Sequence, residues 1–161
     1  MRKLLLIIMA FMGVVFVSRA QEGFSVKAGY NSVNIDVDGF GSESEGGLFV
    51  GAGYNFVLDD KFDIEPSLLY SFVDDLNAIY IPVMGKYKVS EKFNIQAGPQ
   101  VNWIVEDGEG DGKFGIDLAA GAGFNITEQF FAEARYGFEI IRDIDNVNIN
   151  TFTIGLGYRF L

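Results

Sequence analysis

The 161 residues carry 22 acidic and 12 basic side chains, a net charge of -10, with no cysteine and no histidine. A chain this acidic lacks the basic patch that phosphate backbones require, which argues against nucleic acid as a partner. Without cysteine there is no disulfide. Without histidine the commonest general base and metal ligand is missing.

Arg2 and Lys3 precede an unbroken run of apolar residues and glycine over 4–17, and Ser18-Arg19-Ala20 supplies small residues at the positions a signal peptidase reads. This predicts an export signal over residues 1–20, removed before Gln21. The apolar run is short for a membrane anchor, since a spanning helix needs roughly 20 residues. Residues 21–161 then form one domain, and loss of Arg2, Lys3 and Arg19 takes the net charge to -13.

Eight runs of alternating apolar and polar residues follow, each read as a β-strand. Residues 24–35 set Phe24, Val26, Ala28 and Tyr30 against Ser25, Lys27, Gly29 and Asn31. Residues 47–56 set Leu48, Val50, Ala52, Tyr54 and Phe56 against Gly51, Gly53 and Asn55. Residues 62–72 oppose Phe62, Ile64, Pro66, Leu68, Tyr70 and Phe72 to Asp63, Glu65, Ser67 and Ser71. The fourth run, 78–89, is less regular; Ile79, Ile81, Val83, Tyr87 and Val89 on one face place Lys86 and Lys88 on the other. Pro66 and Pro82 inside strands suggest bulges, because proline cannot donate to a ladder.

Residues 93–105 oppose Phe93, Ile95, Ala97, Val101, Trp103 and Val105 to Asn94, Gln96, Gly98, Gln100 and Asn102. Residues 114–125 place Asp117 and a row of glycines opposite Phe114, Ile116, Leu118, Ala120, Ala122 and Phe124. Residues 130–140 place Glu133, Arg135 and Glu139 opposite Phe130, Ala132, Ala134, Tyr136 and Phe138. The last run, 148–160, sets Phe152, Ile154, Leu156, Tyr158 and Phe160 against Thr153, Gly155, Gly157 and Arg159.

Short polar turns of similar pattern (Val57-Leu58-Asp59-Asp60-Lys61-Phe62, Lys88-Val89-Ser90-Glu91-Lys92-Phe93, Asn125-Ile126-Thr127-Glu128-Gln129-Phe130) alternate with longer acidic segments at 36–46, 73–77, 106–113 and 142–147. Short turns at one end and long loops at the other is the arrangement of a bacterial outer-membrane barrel, with the long loops outside.

Alternation alone also fits a water-soluble barrel of lipocalin type, whose apolar face points inward. The aromatic spacing separates the two. Phe62 and Phe72, Phe93 and Trp103, and Phe114 and Phe124 stand ten residues apart on the apolar face. At about 3.3 Å per residue and a tilt near 40°, that is about 25 Å along the axis, the height of a lipid-facing band. With Tyr136 and Tyr158 these residues form two expected aromatic girdles. The expectation is an all-β, eight-stranded antiparallel up-and-down transmembrane β-barrel. Its lumen would be filled by Lys27, Lys86, Lys88, Arg135 and Arg159 paired with Asp63, Glu65, Asp117 and Glu133, with no open pore.

Ile81-Pro82-Val83-Met84-Gly85-Lys86-Tyr87-Lys88, Ala97-Gly98-Pro99, Ala132-Glu133-Ala134-Arg135-Tyr136 and Gly155-Leu156-Gly157-Tyr158-Arg159-Phe160 resemble the small outer-membrane β-barrel family common in Bacteroidetes, the PorT-like barrels, similar in architecture to OmpA and OmpX. The resemblance spans essentially the whole chain after the signal. It implies residence in the outer membrane beside lipid and lipopolysaccharide, and insertion by the barrel-assembly machinery. That machinery reads an aromatic C-terminal strand, here Tyr158 and Phe160, with Leu161 following. Some PorT-like relatives serve a secretion machine, and that role stays open beside a structural, adhesive or interaction role through the acidic exterior loops and an unidentified protein partner.

The chemistry-bearing candidates are few. Asp107, Glu109 and Asp111 with Gly112 follow the start of a calcium loop, but Leu118 stands where the bidentate glutamate belongs, so the bland reading is a solvated loop tip and no metal is assigned. Asp63 and Glu65, about 7 Å apart on one strand face, could serve as paired carboxylates; ion pairing with the inward cations is favoured. Without histidine no Ser-His or Asp-His pair can form, so neither an enzymatic activity nor a cofactor is expected.

Overall fold

The computed structural model describes residues 23–37, 39, 41–74, 76–105, 113–142 and 147–160. The expected signal segment, residues 1–20, lies outside them. Eight strands run in chain order: β1 (Gly23–Val37), β2 (Gly41–Val57), β3 (Phe62–Phe72), β4 (Ala78–Lys88), β5 (Phe93–Ile104), β6 (Phe114–Asn125), β7 (Phe130–Arg142) and β8 (Val147–Arg159). Each pairs antiparallel with the next, and β1 pairs with β8 from Ser25↔Arg159 to Val37↔Val147, closing the barrel. Closure leaves no sheet edge at membrane depth, which hydrocarbon demands because nothing there can hydrogen-bond a free N–H or C=O.

The faces follow the alternation. Phe62, Ile95 and Leu118 point away from the lumen with 48, 48 and 49% of their surface exposed, whereas Lys27, Glu65, Asn102, Asp117 and Arg135 are buried inside. A water-soluble barrel would have the opposite orientation. The greasy wall therefore faces lipid. The three short turns are closed by local bonds in the same way. Leu58 N donates to Phe62 O (3.0 Å), Val89 N to Phe93 O (2.9 Å) and Ile126 N to Phe130 O (2.9 Å). Side chains of Asp59, Ser90 and Thr127 accept from Phe62, Phe93 and Phe130 N–H at 2.9–3.0 Å. An acceptor at that turn position explains why the three segments rhyme.

Three features depart from the sequence expectation. Most of the first acidic segment, 36–46, is strand rather than loop: the β1–β2 ladder continues to Val37↔Gly41, past the last β2–β3 pair at Leu48↔Phe72. A twisted hairpin held by fifteen successive pairs, with the positive-φ Gly39 and Gly41 at its tip, needs no apolar face to keep its register. Second, Pro66 and Pro82 mark no bulge. The register is unchanged across them, and the ladder is simply interrupted, between Gly53↔Ser67 and Phe56↔Ile64 for Pro66 and between Pro66↔Val83 and Leu69↔Tyr80 for Pro82. Pro99 does the same on the next seam, between Pro82↔Gln100 and Gly85↔Ala97. Each proline faces the preceding strand with the side of its backbone that lacks an N–H.

The bulge lies elsewhere. Ile116 pairs with Ile141 but Asp117 pairs with Glu139, so Ile140 is an extra residue in β7. Ile140 and Ile141 both face outward as a result, and Arg142, which straight alternation would turn to lipid, faces the lumen. Arg142, at the head of the segment 142–147 expected as loop, is thus the last residue of β7.

Leu68 sits mid-strand on the lipid face of β3. Leu68→Arg should lower the unfolding free energy in lipid vesicles by about 2–4 kcal/mol, read by urea titration of tryptophan fluorescence and of heat-modifiable gel migration. An effect below 1 kcal/mol would contradict the outward placement.

Candidate functional site

The interior is layered. Toward the short-turn end lies a compact ion cluster built from β1, β3, β4 and β7. Glu65 is its hub, contacting Lys27 Nζ, Lys86 Nζ at 2.7 Å and Arg135 Nη2 at 3.1 Å. Glu133 accepts from Lys27 at 2.8 Å and from Arg135 at 2.9 Å. Gln96 Oε1 accepts from Arg135 Nε at 2.9 Å, and Ser67 Oγ donates to Glu65 at 3.3 Å. Nearer the rim, Lys88 pairs with Asp63 at 2.8 Å, and Asn55 Nδ2 donates to the same carboxylate at 3.0 Å. Asp63 and Glu65 are thus each occupied by cations. They present no free acid and base to a substrate.

Beside the cluster stands Phe131, an inward aromatic ring. Lys27 and Lys86 Nζ lie 5.6 Å from its centroid and the Arg159 guanidinium 5.1 Å. These distances allow cation–π contact in a desolvated setting. Phe131 follows the outward Phe130, and only strict alternation from Phe130 would have assigned it to the lumen. Above the cluster an apolar layer of Phe49, Leu69, Ala78 and Tyr80 crosses the interior.

A second polar layer follows, around Asp117. Here the expectation of ion pairing fails: among the described residues Asp117 makes no ion pair, and accepts instead from Gln100 Nε2 at 2.8 Å and Asn102 Nδ2 at 2.7 Å. Two neutral amides satisfy the carboxylate where no cation reaches. The nearby ion pair is Glu139–Arg142, which only the bulge makes possible, since residues three apart on a straight strand face opposite ways. Arg142 also donates to Asn102 Oδ1 at 3.0 Å, and Glu139 accepts from Ile149 N at 2.7 Å. Arg159 also departs from the expectation. Among the described residues no carboxylate lies within 4.0 Å of it, and it donates to Glu128 O at 3.3 Å. At the long-loop end, Val33, Val73 and Ile149 pack with Ile35, Leu76, Ile104 and Val147 into an aliphatic seal.

On the outer wall the structure brings aromatic rings together in pairs near the strand ends. Phe62 meets Tyr87 (5.0 Å between centroids), Trp103 meets Phe114 (6.2 Å), and Phe130 meets Tyr158 (5.1 Å). Tyr158 also touches Phe160 (5.0 Å), and Phe72 touches Tyr70 (4.7 Å). Phe93 stands opposite Phe124 in the ladder, and Tyr136 lies 4.5 Å from Phe138. The calcium-like Asp107, Glu109 and Asp111 lie outside the described residues, and among the described residues no three His, Cys, Asp or Glu side chains are grouped for a metal.

A closed, eight-stranded antiparallel barrel with a lipid-facing wall and a salt-bridged interior defines an integral membrane barrel. The family described as outer membrane protein beta-barrel domain matches residues 4–160, and the chain belongs to it. Its place is the bacterial outer membrane. Solved structures share the architecture at low identity. Ail, the attachment invasion locus protein of Yersinia pestis, is 20% identical with a TM-score of 0.59 over 86% of this chain and 99% of its own. Ail in complex with the heparin analogue sucrose octasulfate gives 17%, 0.58, 87% and 99%. Neisserial surface protein A gives 17%, 0.59, 86% and 97%. The N-terminal β-barrel domain of Pseudomonas aeruginosa OprF gives 16%, 0.51, 87% and 100%. No curated protein matches the chain.

Glu65→Gln leaves Lys27, Lys86 and Arg135 to share Glu133 alone and should cost about 3–5 kcal/mol of unfolding free energy. Lys92→Gln, on an exposed short turn, should change it by less than about 0.5 kcal/mol. Equal losses in urea titrations of the two variants would refute Glu65 as the hub.

Proposed function

We propose that this barrel is a non-enzymatic recognition protein of the outer membrane, closed to solutes, that binds an extended cationic segment of another protein outside the cell. The observation carrying this reading is the edge of β2. Residues 41–46 pair with β1 on one side, but the β2–β3 ladder begins only at Leu48, so among the described residues nothing pairs with the backbone on the other side of this stretch. All six residues are exposed, and Glu43 and Glu45 project from the same face. An open strand edge recruits another strand by main-chain hydrogen bonding, and the flanking charges choose its composition.

The opposite flank of the protruding sheet is less available, because the Glu139 side chain already accepts from Ile149 N of β8. Ail has been solved with a sulfated, anionic ligand. Here Asp36, Glu43 and Glu45 would repel such a ligand and favour a basic one. The packed ion cluster, the two apolar layers and the amide-bound Asp117 support a lumen without a conducting path. The ring pairs at both strand ends serve as aromatic girdles against lipid and lipopolysaccharide, and Tyr158 with Phe160 supplies the signal for the barrel-assembly machinery.

The absence of native cysteine makes single-cysteine variants unambiguous. Ser44→Cys should react with a membrane-impermeant maleimide on intact cells, while Asp60→Cys should react only after the outer membrane is permeabilised. The purified barrel should bind a Lys-Thr alternating peptide with an affinity that falls as salt rises, and Glu43→Lys/Glu45→Lys should weaken it at least tenfold in fluorescence anisotropy. Unchanged binding by the double variant, or discrete conductance steps of the wild type in planar bilayers, would refute the reading.

A further inference from the structure

The interior near the short-turn end carries more positive than negative charge. Lys27, Lys86, Lys88, Arg135 and Arg159 turn into it against Asp63, Glu65 and Glu133, five cations to three carboxylates. Lys88 and Asp63 neutralise one another, and Lys27, Lys86 and Arg135 share Glu65 and Glu133, which leaves one cation in excess there. Arg159 is the second. It is 95% buried, its Nε makes no hydrogen bond, and among the described residues no carboxylate lies within salt-bridge distance. A buried guanidinium whose neighbouring carboxylates stay beyond ion-pair distance and are engaged by other cations is costly.

A cavity lies against this group. Arg159, Lys86, Lys88 and Asn94 line it with the Phe131 ring, and so do Asp63 and Glu133, two carboxylates already paired with Lys88 and with Lys27 and Arg135; its volume is about 20 Å³. A single water needs about 10–15 Å³ by that measure, so the space suits one or two water-sized particles and not a tetrahedral oxyanion. The half-buried Asn94 adds an amide whose Oδ1 is buried without a partner; exchanging the amide's O and N would point a donor the same way.

We propose that this cavity is a binding site for one monovalent, halide-sized anion, reached from the periplasm and held by Arg159, Asn94 and Lys88. The anion supplies the counter-charge that the carboxylates of the lumen do not. It stabilises the barrel at its short-turn end and is not transported, since the apolar layer of Phe49, Leu69 and Tyr80 closes the way above. This inference is independent of the exterior recognition edge.

Wild-type crystals grown in bromide should show an anomalous peak beside the Arg159 guanidinium. The temperature at which the folded band is lost on gels should be roughly 3–6 °C higher in sodium bromide or chloride than in sodium gluconate of equal ionic strength. Asn94→Asp, which places a carboxylate in the same cavity, should abolish that difference while raising the melting temperature in gluconate. Arg159→Gln should abolish the difference as well. Absence of bromide from the cavity, equal melting of the wild type in both salts, or protection by phosphate but not by halides would overturn the assignment.

Discussion

Every level of this structure answers to one condition: in hydrocarbon, a backbone donor or acceptor must find its partner within the protein. Closure of β1 against β8 satisfies that condition around the wall. It also creates a second problem, because eight strands enclose a narrow interior that must be filled by whatever side chains alternate inward. Glu65 and Glu133 solve it at one end by gathering Lys27, Lys86 and Arg135 from three other positions on the wall. Such a cluster contributes less to net stability than an apolar core of equal volume would; what it contributes is register, since a one-residue slip of β3 would carry Glu65 into lipid.

The same inversion explains what could be read from the residues and what could not. Strand count, facing and the short turns were legible because lipid on one side and a crowded lumen on the other impose strict alternation, as in β3, where Asp63, Glu65, Ser67 and Ser71 all turn inward. The lumen partners were less legible. Lys27 and Glu65 are 38 residues apart, and their meeting depends on barrel size and shear, which no local pattern encodes. Asp117 was expected to find a cation and found Gln100 and Asn102, because the neighbouring strand offers only amides at that height.

Other features escaped for different reasons. Phe49, Leu69 and Phe131 are apolar residues on the polar face, flanked by apolar neighbours, so composition hides them and only parity reveals them. The bulge at Ile140 shows as a doublet, Ile140-Ile141, that breaks parity just before Arg142. The β2 arm of the exterior hairpin, 41–46, escaped because its residues are polar or glycine on both faces. Water satisfies both sides of a strand outside the membrane, so alternation, the signal that exposed every other strand, is absent there.

The three prolines have a mechanical consequence. Pro66, Pro82 and Pro99 sit on successive strands, and each deletes ladder bonds to the strand before it at mid-height. The terminal seam, by contrast, runs uninterrupted through thirteen pairs. A barrel strained by lateral pressure would therefore part first between β2 and β5. The junction of its first and last strands, where a newly inserted barrel is sealed, would be among the last to give way.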